Sequence, residues 1–269
     1  MAYIHFASPT DVAFYLFNIP VYFYGICLAI GILFGFYFSY SIMQKYYKNL
    51  DKETLYDVFL VCLIFGFLSA RLYYCLLSSE YYVNNLSDIL NFRQGGLSIQ
   101  GGIIGGFLSG IIYAKIKKLS VLVYADIISY GLVIAQSIGR WGNFFNSEAY
   151  GLPAKYIGVF IPTANRIKGF ENIEYFQPTF LYESILDFCI FLILFFVIRK
   201  INNRFDGLIF ASYIILYSSI RFFMEFLRLD SVYNIFGIHI AQIVCIIMII
   251  CAASFIIYCY KYKNSNIEI

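Results

Sequence analysis

Apolar runs about twenty residues long recur from near the start to near the end of this 269-residue chain, and few folds accept that pattern. A helix rises 1.5 Å per residue, so about 20 residues cross the ~30 Å hydrocarbon layer of a bilayer. Seven stretches meet that length: 21–43, 56–77, 97–116, 119–138, 180–198, 207–227 and 238–260. With 61% hydrophobic and 13% charged residues, the expectation is an all-α polytopic membrane protein. The runs leave no room for a separate soluble domain, so residues 1–269 read as a single transmembrane domain.

Basic residues in the short connections set the expected orientation. Lys45, Lys48 and Lys52 follow the first span, Lys115, Lys117 and Lys118 the third, Arg199, Lys200 and Arg204 the fifth, and Lys261 and Lys263 the seventh. The short alternate connections hold only Arg93 and Arg228, which places the N-terminus outside and the C-terminus in the cytoplasm. On that topology residues 139–179, between the fourth and fifth spans, are the one connection long enough for a small outer-face lobe. Its four basic residues break the charge pattern, which long loops tolerate and a functional arginine would explain.

Several function classes drop out on composition. A formal charge of +3, with the basic residues scattered among apolar runs, is not a nucleic-acid footprint. No cluster of His and Cys has metal-ligand spacing, and nothing in the chain calls for a cofactor. The seven cysteines lie in or beside apolar runs and read as small packing or lipid-facing residues. The N-terminal segment lacks a basic n-region and is expected to lie along the membrane interface before the first span. His5 and His239 both read as surface or interfacial residues.

Charges inside apolar runs are the informative exceptions. Arg71, Asp126, Glu183, Asp187, Arg221 and Glu225 fall within expected spans, where an isolated charge costs about 2.5–3.5 kcal/mol on an insertion scale. Each therefore needs a partner or a wet cavity. In YSSIRFFMEFLR, Tyr217, Arg221 and Glu225 recur every four residues and share one helix face. In GRWGNFFNSEAYG, residues 139–151, Arg140 and Asn143 lie one turn apart, with Asn146 and Glu148 close behind. A guanidinium fork matches phosphate oxygens in pairs and amides add neutral donors, so an anionic lipid headgroup is the natural ligand of this pattern. The glycines of LSIQGGIIGGFLSG fit close helix packing, or leave space beside Gln100 for a lipid tail.

These motifs together resemble the bacterial phosphatidylglycerol–prolipoprotein diacylglyceryl transferase family. GRWGNFFNSEAYG is similar to that family's GRxGNFxNxExxG signature. Tyr24-Gly25, Ser69 to Arg71, the glycine-rich segment 95–106, QPTFLYE at 177–183 and the Tyr217–Arg228 stretch follow in the family's order. The resemblance implies an enzyme of the inner (cytoplasmic) membrane, surrounded by membrane lipids. Its expected reaction moves diacylglycerol from phosphatidylglycerol to the lipobox cysteine of a prolipoprotein signal peptide, leaving a thioether and glycerol 1-phosphate. It also implies importance for Tyr24, Arg140, Asn143, Glu148, Gly151, Tyr217, Arg221, Glu225 and Arg228. Arg140, Arg221, Glu148, Tyr217 and Glu225 are expected in catalysis, and Tyr24, Gln100, Asn143, Asn146, Gly151 and Arg228 in substrate binding beside the two arginines.

Gln100 and Gln177 stand where many family members have histidine, and an amide is no general base. Phosphate is already a competent leaving group whose growing charge two arginines can stabilise. The thiol, with an ordinary pKa near ~8.5, must still lose its proton. Glu148, Tyr217, Glu225 and a phosphate oxygen remain open as acceptors. Two other classes compete: a lipid or small-anion transporter that uses the arginines only for binding, and an intramembrane protease built on Asp126 and Asp187.

Overall fold

The computed structural model describes residues 4–91, 95–201, 205–229, 234–235 and 238–265. Arg93 and Arg204, which entered the charge argument, lie outside these residues, as does the side chain of Lys263. The helices are α1 (Phe23–Tyr46), α2 (Lys52–Leu77), a single turn α3 (Ser79–Tyr82), α4 (Ile99–Ile116), α5 (Val121–Phe145), α6 (Thr179–Phe196), α7 (Leu208–Met224) and α8 (Ile240–Ser265). Six of them, α1, α2, α4, α5, α6 with its following turn, and α8, are long and apolar enough to cross a membrane.

The helix α7 is shorter than the expected span 207–227, at 17 residues. Beyond Met224 the backbone tightens: Phe226 and Leu227 donate to carbonyls three residues back, and Arg228 then bridges Gly151. Bridging that distant strand-like segment satisfies backbone groups that another helical turn would have claimed.

Two compact units make up the chain, residues 40–124 and residues 1–39 with 125–269. In the first, Asp51 caps α2 by accepting from the Glu53 and Thr54 amides and the Thr54 hydroxyl. The Thr54 hydroxyl, more than the amides, holds the Asp51 carboxyl below its ordinary range. The α4 glycines press on α2, as close packing requires: a Cβ at Gly105 would lie 2.2 Å from Ser69 Cβ. Arg71 is buried at 3% exposure, among backbone carbonyls. Its Nε, Nη1 and Nη2 donate to the carbonyls of Asp88, Ile89, Asn91, Gly95 and Gly96 at 2.6–3.0 Å.

In the other unit, strands that the sequence reading did not foresee organise one end. Residues 4–7 form a strand, β1. They pair in parallel with β4 (Ile157–Phe160), which pairs antiparallel with β5 (Tyr175–Phe176). Val12–Leu16 (β2) and Ile19–Tyr22 (β3) form a hairpin that leads into α1. Tyr150, Val159, Ile161, Phe176 and Phe180 form a core under the three-stranded sheet. Arg166, one of the four basic residues of segment 139–179, is a loop staple there, donating to the Ile161 and Glu171 carbonyls.

Two polar devices fix the helices below that end. Ser137 on α5 and Ser184 on α6 are buried and each donates to the other's backbone carbonyl at 2.8 Å. Asp126, near the start of α5, accepts from the Gly207 and Phe210 amides and so caps α7, whose own N-cap residue is a glycine. Short strands β6 (Asn234–Ile235) and β7 (Ile238–His239) precede α8.

Candidate active site

Chain direction brings the charged residues together. Arg140 is near the C-terminal end of α5 and Glu183 near the N-terminal end of α6, so the segment that joins the two helices leaves both at one end. Arg221 occupies the last turn of α7. Cations at helix C-termini and a carboxylate at a helix N-terminus also complement the helix dipoles. The reciprocal Ser137–Ser184 bonds, one turn before Arg140 on α5 and next to Glu183 on α6, hold the two helices in that register.

Glu183 is the centre. Its carboxylate is 3% exposed, with Oε2 at 2.7 Å from Arg140 Nη1. Its Oε1 faces Arg221 Nη1 at 3.6 Å and Arg228 Nη1 at 3.5 Å. Arg140 also has Tyr217 Oη at 3.4 Å and Asp187 Oδ2 at 3.8 Å. Neither Asp187 oxygen has a hydrogen-bond partner among the described residues. Arg221 pairs with Glu225 at 2.8 Å, and the other oxygen of Glu225 lies 3.2 Å from His239 Nδ1. Three guanidiniums therefore converge with three carboxylates, and all three arginines keep 12–23% of their side chains exposed. The Arg221–Glu225 pair read from the sequence exists, but as one edge of a larger network.

The opening motif supplies a second, adjacent group. Asn143 and Asn146 both donate to Glu148 Oε1, at 2.9 and 3.5 Å. Ser147 and Ala149, on either side of Glu148, have φ of 51° and 53°, a left-handed conformation rare for residues with a side chain. Surrounding bonds hold it in place: Glu148 N–H donates to Asn143 O, and the Thr179 hydroxyl donates to Ala149 O. Tyr24 lies against Gly142, within electrostatic reach of both Glu148 and Arg140. Gly151 is a backbone junction. Its N–H donates to Gln177 O, it bridges Arg228, and a Cβ there would meet Leu227 O at 2.9 Å and Thr179 Cγ2 at 2.8 Å. Gln100 belongs to the other unit, where its amide oxygen accepts from the Ser98 hydroxyl at 2.7 Å.

Sequence reasoning missed three members of the network. Glu183 and Asp187 were visible only as charges inside an apolar run. His239 was assigned to the surface, whereas its ring is held by Glu225. The aspartates of the protease alternative are not a pair: Asp187 lies beside Arg140, and Asp126 is 14 residues earlier on α5, about 21 Å along the helix.

A polytopic membrane protein whose helix ends gather arginines around a buried carboxylate is the class that fold and site define. The sequence profile of the family described as prolipoprotein diacylglyceryl transferase matches residues 11–258, and the chain belongs to that family. It is 44% identical over 241 residues to phosphatidylglycerol–prolipoprotein diacylglyceryl transferase 1 of Clostridium perfringens strain 13, across 89% of this chain and 90% of the relative. It is 39% identical over 250 residues to phosphatidylglycerol–prolipoprotein diacylglyceryl transferase of Staphylococcus aureus strain MSSA476, across 92% of this chain and 88% of the relative.

Proposed function

We propose that this protein transfers the diacylglyceryl group of phosphatidylglycerol to the lipobox cysteine of prolipoprotein signal peptides and releases glycerol 1-phosphate. The observation that carries this reading is the convergence of Arg140, Arg221 and Arg228 on Glu183, with one contact at 2.7 Å and two at 3.5–3.6 Å. The longer Arg221 contact leaves its Nη1 able to take a phosphate oxygen without dismantling the network. The thiol sulfur forms a bond to the terminal glycerol carbon as that carbon's bond to the phosphate oxygen breaks. The departing phosphate gains negative charge, and Arg140 and Arg221 stabilise it in place.

Within this reading, Tyr24, Asn143, Asn146 and Glu148 line the headgroup side. Tyr217 orients Arg140, Arg228 adds charge to the phosphate site, Gly151 holds the junction that places it, and Gln100 positions substrate without carrying a proton. Residues 1–269 act as one transferase domain. Seven helices cross the inner membrane, with α7 as the seventh, the N-terminus and the segment 139–179 outside and the C-terminus in the cytoplasm. The deciding experiment is mass spectrometry of a lipobox peptide incubated with purified protein and phosphatidylglycerol vesicles. Addition of one diacylglyceryl mass is expected. Unchanged peptide accompanied by lipid movement would instead establish a transporter.

A further inference from the structure

The transfer needs a proton acceptor, and neither Gln100 nor Gln177 can serve as one. Among the described residues, His239 is the one imidazole in contact with the charged network, and it comes from a different element, the short strand before α8. A single buried carboxylate links it to the phosphate-binding cations: Glu225 presents Oε2 to Arg221 at 2.8 Å and Oε1 to His239 Nδ1 at 3.2 Å. The His239 side chain remains 28% exposed. Its backbone is fixed as well, because its N–H donates to the side-chain oxygen of Gln242, itself buried in the first turn of α8.

That arrangement selects a tautomer. A carboxylate oxygen opposite Nδ1 accepts a hydrogen bond from it, so the neutral ring carries Nδ1–H and leaves its lone pair on Nε2. Nε2 has no hydrogen-bond partner among the described residues. Of the acceptors considered from the sequence, a phosphate oxygen aside, each is engaged: Glu225 through both oxygens, Glu148 through Oε1 by two asparagines, and Tyr217 by Arg140. We infer that Glu225 and His239 form a carboxylate–imidazole dyad that is the general base of the transfer, with Nε2 accepting the proton of the lipobox thiol. This rests on the transferase reading above.

The balance closes without a further reactant. The S–H proton moves to Nε2, sulfur bonds to the glycerol carbon, the carbon–oxygen bond to phosphate breaks, and the oxygen keeps the electron pair. The imidazolium is held by Glu225 until its proton passes to the released phosphate or to water, much as a buried carboxylate stabilises imidazolium in hydrolase triads. Among the described residues, the charged and titratable groups around the ring are Glu225 at the C-cap of α7, Arg221 in its last turn, Arg228 and Glu183 one contact further on, and Cys245 of α8, which feels both Arg221 and Glu225.

The test is the pH–rate profile of peptide lipidation by the full-length protein in phosphatidylglycerol vesicles, for wild type, His239→Gln and, should that variant fold poorly, His239→Asn. The wild-type rate is expected to fall on the acid side, because a protonated imidazole has no lone pair left to accept the thiol proton. In the variants kcat should drop on the order of 10²–10⁴-fold with KM for phosphatidylglycerol little changed. Their acid limb should vanish, and added imidazole should restore part of the rate. At high pH, where the thiol ionises by itself near ~8.5, the gap should narrow. Unaltered rate and profile would overturn the proposal, as would a slower enzyme that keeps the wild-type acid limb, because His239 would then only brace Glu225. Wild type that lipidates nothing overturns the function itself, and this inference with it.

Discussion

Two arginine sites, one in each unit, solve the burial of a cation in opposite ways. Arg71 is 3% exposed and directs its N–H donors at five backbone carbonyls, so its hydrogen-bonding capacity is spent on holding Asp88, Ile89, Asn91, Gly95 and Gly96 ahead of α4. Arg140, Arg221 and Arg228 are more exposed and share Glu183, two of them at distances beyond a good hydrogen bond. A saturated cation holds the fold together. Arg221, whose Nη1 lies 3.6 Å from Glu183 and has no hydrogen-bond partner among the described residues, keeps a donor for a ligand, and that difference separates structure from function where residue type alone does not.

The largest way to disturb the contrast is to remove its hub. Glu183→Gln leaves three guanidiniums facing one another without their shared charge. Transfer should fall on the order of 10²–10³-fold, comparable to losing a preorganised charge-stabilising donor. Stability should fall by about 3–5 kcal/mol, as when one partner of a buried pair is deleted. Rate assays and thermal unfolding in one detergent check both. A variant of wild-type activity would show that the arginines do not need their scaffold.

A smaller effect separates the two units. Gln100→Ala should slow transfer by less than ~10²-fold, because the amide positions groups but carries no proton, whereas Arg221→Ala should exceed that loss. Equal losses in parallel kinetic assays would move Gln100 into the chemistry. The smallest effect is structural. Asp51, at the head of α2, has its carboxyl held below the ordinary range, so its contribution is present above the unfolded pKa of ~3.9 and is lost as pH falls through the lower folded value. Asp51→Asn should therefore flatten the acid side of a stability curve, seen in melts below about pH 4, and leave transfer at neutral pH unchanged.

Much of the helical layout was legible because a membrane span leaves a long, uniform trace in sequence. What lay between spans was not. The parallel pairing of Ile4–Ala7 with Ile157–Phe160 joins strands of four residues separated by most of the chain, and nothing local announces such a partner. The early end of α7 had the same origin, since Arg228 leaves the helix to bridge Gly151. At the site, residue types and spacing marked Arg140, Arg221 and Glu225, and the i, i+4 rule gave one correct pair. Glu183 and Asp187 registered as charges that needed partners, but a one-dimensional pattern cannot say which. His239 was set aside because its partner lies 14 residues away on another element. Arg71 shows the converse: a buried charge invites a functional reading until its five carbonyls are seen.

The most direct measurement makes the same change at both kinds of arginine. Lysine keeps the charge but offers three donors on a flexible stem in place of a planar fork. Transfer rate per folded molecule and thermal stability would be measured for Arg140→Lys and Arg71→Lys. For Arg140→Lys a rate loss on the order of 10²–10³-fold is expected with little change in melting, because charge beside Glu183 is kept while the fork for phosphate is lost. For Arg71→Lys at least two carbonyls lose their donor, at about 1–3 kcal/mol each, so melting should fall while the surviving molecules stay within about tenfold of the wild-type rate. Crossed effects of that kind are what the account predicts. Arg140→Lys retaining most of its activity, or Arg71→Lys losing activity without losing stability, would contradict it.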